Sequence, residues 1–169
     1  MANAHLLTGL GAAAALFLSS VGAIAGSVPS GIFAIHAKGI KCMIPIIQSG
    51  VLAIYGIIIG VILAQSMQIE SLSEHQGYKN FSAGLSCGLA CLASGVGMSR
   101  FVSHYMKLSL PPLESSNGYS SPPETQPLLN VTTGQPPQQF IVSIRFILVM
   151  VFLEAIGLYG LIVALFLQY

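Results

Sequence analysis

Four stretches of this chain, residues 6–35, 44–69, 79–106 and 140–168, are each long and apolar enough to cross a bilayer as a helix. The first two contain no Lys, Arg, Asp or Glu. Such runs exclude a soluble helical bundle, which needs a polar outer face. Composition agrees: charged residues make up 7% of the chain, against about 25% in typical soluble domains. The fold class expected is an all-α membrane protein, a four-helix transmembrane bundle. Residues 6–25 mimic a secretory leader, with Ala23-Ile24-Ala25 as its cleavage site. No basic residue precedes the run, however, and it extends past the usual leader length, so it reads as a membrane helix.

Several function classes drop out early. A net charge of +1 gives no electrostatic case for nucleic acid. No P-loop pattern is present, so this chain would not bind ATP by that motif. The three cysteines, Cys42, Cys87 and Cys91, do not suggest a disulfide framework. Cys87 and Cys91 stand at i, i+4 with no His in their segment, a pattern of small packing residues rather than metal ligands. No metal and no cofactor is expected.

Small residues divide the helices into two kinds. Segments one and three carry them at every turn, among them Gly11, Gly22, Gly84 and Gly95. Segments two and four are bulkier, with Ile57-Ile58-Ile59 and Leu161-Ile162-Val163. Small residues let backbones approach closely. Helices one and three would therefore pack against something narrow, either the inner ring of a crowded assembly or a neighbour within one bundle. The alternation is also a repeat. Tyr55-Gly56 aligns with Tyr159-Gly160 at an offset of 104, and Ser19-Ser20-Val21-Gly22 with Ser94-Gly95-Val96-Gly97 at 75. The chain reads as a duplicated helical hairpin, 6–69 and 79–168, with about 29 extra residues inside the second hairpin. Residues 107–139 supply them, holding seven of the nine prolines, and read as a flexible Pro-rich linker.

Basic residues set the orientation. Lys38 and Lys41 follow helix one, while Arg100, Lys107 and Arg145 flank the loop between three and four. The positive-inside rule puts both loops in the cytosol and both termini in the lumen. His36 and His104 then lie near cytosolic ends.

One residue resists the apolar pattern. Glu154 is the only charged side chain from Phe146 to Tyr169. A carboxylate at mid-bilayer costs on the order of 3 kcal/mol, so its retention points to function. Low dielectric penalises the charged form of a carboxyl, so such a group can rest protonated and release its proton on meeting water or a cation. Arg145 does not supply that cation. Nine residues put it half a turn away in phase and about 13.5 Å along the axis. The repeat places Gly50 at the equivalent site in helix two, leaving one ionisable midplane site per chain. Gln48 and Ser49 lie near it, but no convincing set of cation-binding oxygens emerges.

These residues carry a resemblance. Glu154-Ala155-Ile156-Gly157-Leu158-Tyr159-Gly160-Leu161-Ile162-Val163-Ala164-Leu165, the stretch from Pro45 through Gly50-Val51-Leu52-Ala53-Ile54-Tyr55-Gly56, and Gly84-Leu85-Ser86-Cys87-Gly88-Leu89 are similar to motifs of one family. The chain resembles the proteolipid c-subunits of eukaryotic vacuolar-type proton ATPases over residues 9–107 and 134–168. The resemblance implies that Glu154 binds the transported proton and that Tyr55 supports it; Gly50, the mate of Glu154 in the repeat, is the second supporting position expected. It implies a ring of identical or paralogous proteolipids in the lipid of a vacuole or other acidic organelle. The ring would turn against a stator membrane subunit that supplies an arginine, and a rotor stalk would join it to a peripheral ATPase sector. A tyrosine matching Tyr55 bonds the carboxylate in a sodium-carrying relative, whose second-helix glutamine is Leu52 here, which implies protons rather than sodium. The carboxyl in the last helix fits the c or c-prime type.

Departures from the pattern are Pro29 for a usual Lys, Arg145 for Gly, the long linker, and Ser99 through Tyr105, which lacks the usual glycines and Asp. On this reading the chain is a non-ATP-binding subunit of a rotary translocase. The competing reading is a structural or pore-forming membrane proteolipid not coupled to ATP.

Overall fold

Each apolar run folds into one helix, because a backbone in hydrocarbon has only its own carbonyls to bond. The computed structural model describes residues 2–36, 40–68, 73–109 and 144–168. Helix α1 spans Ala2–His36, α2 Ile44–Ser66, α3 Glu74–Ser109 and α4 Ile144–Gln168, with a short 3₁₀ turn at Ile40–Met43 before α2. All four are long and apolar enough to cross a membrane. The linker expected at 107–139 lies outside the described residues beyond the end of α3, as do residues 140–143 ahead of α4.

The helix ends follow from local chemistry. Pro45 sits in the first turn of α2, where its missing N–H would be unpaired in any case. Ser73 precedes α3, and its hydroxyl accepts from the Gln76 amide at 3.3 Å. Glu74 opens that helix and Lys107 lies in its last turn, each matching the helix dipole. Pro29 lies inside α1, which stays helical through it. Next to it, the Ser30 hydroxyl bonds the Gly26 carbonyl at 2.7 Å.

The narrow object against which α1 packs is α3. Ala4, Thr8, Gly11, Ala15, Ser19, Gly22 and Gly26 are buried along one face of α1 at spacings of three and four. A Cβ built on Gly84 would strike the Gly11 carbonyl, and one on Gly95 would strike the Gly22 carbonyl. A Cβ on Gly22 would in turn lie 2.5 Å from the Cys91 carbonyl oxygen. The small residues of both helices are thus spent on a backbone-to-backbone seam inside one chain. Gly31 stands apart, with nothing within 4 Å of its built Cβ.

The outer helices dock on this pair. Gly56 of α2 lies against Ala15 and Ser19 of α1, and Gly160 of α4 against Ser86, Cys87 and Ala90 of α3. Ala15 and Ala90 are 75 residues apart and the two glycines 104, the offsets read from the sequence. Helix α4 packs on α3 and α2, and meets α1 through side chains.

Two clusters close the ends. At the α3 C-terminal end, where family-type glycines are missing, Phe33, Phe101, Tyr105 and Phe146 pack ring on ring. The closest pair, Tyr105–Phe146, has centroids 4.6 Å apart. At the other end, Asn80 joins all four helices. Its amide nitrogen donates to the hydroxyls of Thr8 and Ser66, each at 3.1 Å, and its carbonyl accepts from Gln168 at 3.1 Å. Asn80 heads an N-x-[ST] sequon, but its side chain is buried and engaged.

The seam makes a contrast measurable. Gly95→Ala should destabilise the chain by about 1–3 kcal/mol, read as a lower melting temperature in detergent. Gly31→Ala should leave that temperature unchanged.

Candidate functional site

Helix α4 brings one carboxyl into the bundle. Glu154 is the eleventh of its 25 residues. The backbone beside it is held from α3, where the buried Ser94 hydroxyl donates to the Leu153 carbonyl at 2.5 Å. Gly97 lies close to Leu153, 3.1 Å from its built Cβ to Leu153 Cδ2. One turn further along α4, Gly157 leaves room for α2 and α3. A Cβ there would meet Leu52 Cδ2 at 2.7 Å, Tyr55 Cδ2 at 3.7 Å and Cys91 Sγ at 3.8 Å.

The carboxyl is half-buried and faces α2. Gln48 and Tyr55 are the α2 polar side chains beside it, in a register fixed by the contact of Gly157 with Leu52 and Tyr55. Gln48 and Tyr55 are seven residues apart, two turns along one face of α2. Leu52 stands between them, fully buried, and adds no oxygen. Among the described residues no cation acts on Glu154. Arg145 is exposed near the start of α4, beside the aromatic cluster.

Of the positions expected from sequence, the fold brings Tyr55 to Glu154 and leaves Gly50 apart. Gly50 is exposed, and its built Cβ meets nothing within 4 Å. It is the mate of Glu154 in the repeat, but the carboxyl faces a different side of α2. Tyr159, the mate of Tyr55, points outward and is 63% exposed. Ser49 is buried and bonds its own helix at Ile46, 2.8 Å away, so it does not serve the carboxyl. Gln48 does face it, and the i, i+7 match with Tyr55 is the sequence signal that identifies it. Ser94 had no such signal, because its role depends on the α3–α4 register.

No group of three or more metal-ligating side chains occurs among the described residues. Cys42, Cys87 and Cys91 are free and buried. The arrangement can hold a neutral acid in an apolar setting, with two polar side chains beside it and no compensating charge among the described residues.

Removal of the α3–α4 bond tests how α4 is held. Ser94→Ala should cost about 0.6–2 kcal/mol in resistance to detergent-induced unfolding, with helical content by circular dichroism unchanged.

Comparison with known proteins adds the last line. No family model matches the chain. It is 31% identical over 166 residues to the V-type proton ATPase 16 kDa proteolipid subunit c of Nephrops norvegicus, covering 94% of this chain and 87% of that protein. It is 32% identical over 166 residues to the corresponding subunit of Homo sapiens, covering 94% and 88%. To V-type proton ATPase subunit c′ of Saccharomyces cerevisiae it is 32% identical over 170 residues, covering 94% and 84%.

Proposed function

The chain belongs to the V-type proton ATPase proteolipid family of c and c′ subunits, and we propose that Glu154 is the site through which it carries protons as a rotor subunit of the membrane sector. One observation carries the proposal. Glu154 is the only acidic residue in the interior of a membrane span among the described residues, and it has no cation of its own. A carboxyl so placed is stable as the neutral acid and ionises when a cation or water reaches it.

The cation comes from outside the chain, and an arginine on a stator membrane subunit fits the need. Each proteolipid stands in a ring with identical or paralogous copies. Rotation carries Glu154 past that arginine, where the proton leaves, and back into lipid, where the next proton is held. ATP is hydrolysed on a peripheral sector joined through the rotor stalk. Tyr55 supports the carboxyl, while Gly50, on an exposed face, leaves room for a neighbouring subunit. Leu52 offers no oxygen beside the acid, which favours protons over sodium. Lys38, Lys41, Arg100, Lys107 and Arg145 mark the cytosolic side, which puts both termini in the lumen of a vacuole or other acidic compartment.

Substitution of the carboxyl decides the matter. In membranes whose proteolipid is this chain, Glu154→Gln should abolish ATP-driven acidification, measured with a pH-sensitive dye, while the ring still assembles. Pumping retained with that variant would overturn the proposal and leave an uncoupled structural or pore-forming proteolipid. Tyr55→Phe should slow acidification several-fold without preventing assembly.

A further inference from the structure

Gln48 has a polar end that nothing satisfies. The residue is 8% exposed, and its Oε1 is buried without a hydrogen-bond partner. No other buried side-chain oxygen or nitrogen among the described residues is left so. A buried acceptor without a donor keeps the full cost of its lost hydration. Gln48 lies one turn from Leu52 on the α2 face it shares with Tyr55, Glu154 lies one turn from Gly157 on α4, and Leu52 and Gly157 are in contact, which sets the amide beside the carboxyl.

The two protonation states of the acid treat this amide differently. An ionised carboxylate only accepts, so it can take an N–H from Gln48 and the O–H of Tyr55 and has nothing to offer Oε1. A neutral carboxyl carries one O–H donor. The terminal torsion of a glutamine is broad and roughly two-fold, so the amide can present either its oxygen or its nitrogen.

We infer that Gln48 is a positioning residue for the protonated form of Glu154: its Oε1 accepts the carboxyl O–H while the Tyr55 hydroxyl donates to the other carboxyl oxygen. The neutral acid then has both its oxygens engaged within one chain, and the orphan acceptor is satisfied. When the proton leaves, the amide turns over and donates Nε2–H to the carboxylate. Gln48 thereby reports the charge state of Glu154 in its own orientation. Among the described residues, the other titratable groups packed here are Tyr55 from α2 and Cys87 and Cys91 from α3. This deepens the reading of Glu154 as the proton site and rests on it.

Infrared difference spectra between acid and alkaline pH, on the purified full-length chain in lipid, test the pairing. The carboxyl C=O band of Glu154 is assigned by its loss in Glu154→Gln. In Gln48→Met that band should move to higher wavenumber, because the acid loses its acceptor. A band that stays in place overturns the inference. If Gln48→Met fails to fold, the wild-type chain with ¹³C-labelled glutamine carries the test alone. A glutamine amide C=O band should change with pH, and that change should vanish in Glu154→Gln. Its absence overturns the pairing. The outcomes separate from those of the acidification assay. Pumping lost in Glu154→Gln with an unmoved carboxyl band removes the role of Gln48 and leaves the carrier. A moved band with pumping intact does the reverse.

Discussion

Backbone contact between α1 and α3 is the interaction on which the rest of the molecule depends. In lipid, helices gain little from hiding apolar side chains, because the solvent is equally apolar. What remains is close packing and hydrogen bonding across the interface. Gly11, Gly22, Gly84 and Gly95 supply the first by removing every side chain at the closest points. Helices α2 and α4 then ride on that pair, through Gly56 against Ala15 and Ser19 and through Gly160 against Ala90. Helices α2 and α4 also touch each other directly, where Gly157 admits Leu52 and Tyr55, and that contact brings Tyr55 towards Glu154.

Hydrogen bonding supplies the second element, and the polar side chains are placed accordingly. Serines 19, 27, 30, 49, 66 and 82 return their hydroxyls to carbonyls of their own helices. Two polar side chains do more. Asn80 ties four helices together at one end, and Ser94 ties α3 to α4 beside the carboxyl. Bonds of this kind are worth about 0.6–2 kcal/mol each in a membrane. They matter here because they fix register, which apolar packing between smooth helices does not. Among the described residues one buried acceptor, Gln48 Oε1, is left without a partner, and it stands beside the one acid in the interior of a span.

The sequence made the architecture and the carboxyl legible, and the reason is physical. Crossing hydrocarbon demands long uncharged runs, which are visible without any structure, and a lone charge within one is equally visible. Tyr55 was found through a family resemblance, and Gly50 through an alignment of the two halves. The second route reads chain position, which a repeat preserves, whereas a site depends on which faces meet. The halves pack against each other asymmetrically, so Tyr55 faces inward while its mate Tyr159 faces out. The glycine stripes were open to two readings because a stripe shows that something comes close without saying what. Ser94 and Asn80 act across helices far apart in sequence, and their partners follow only from tertiary register. The aromatic cluster at Phe33, Phe101, Tyr105 and Phe146 lies where the sequence departs from the glycines usual in the family, and it closes that end of the bundle by ring packing.

The surroundings of Glu154 bear on when it can change charge. Val151 and Leu158, one turn to either side of Glu154 on its own face of α4, are exposed apolar side chains. An apolar cover over them would offer nothing that accepts a proton. Ionisation there would strand a charge at a cost of several kcal/mol, with only the neutral groups of Gln48 and Tyr55 to soften it. The cost of charging Glu154 therefore depends on what covers this face of α4: an apolar cover disfavours the carboxylate and a cationic one favours it. Among the described residues no cation is in place to do so, so the proton-carrying role proposed for Glu154 needs one supplied by a partner.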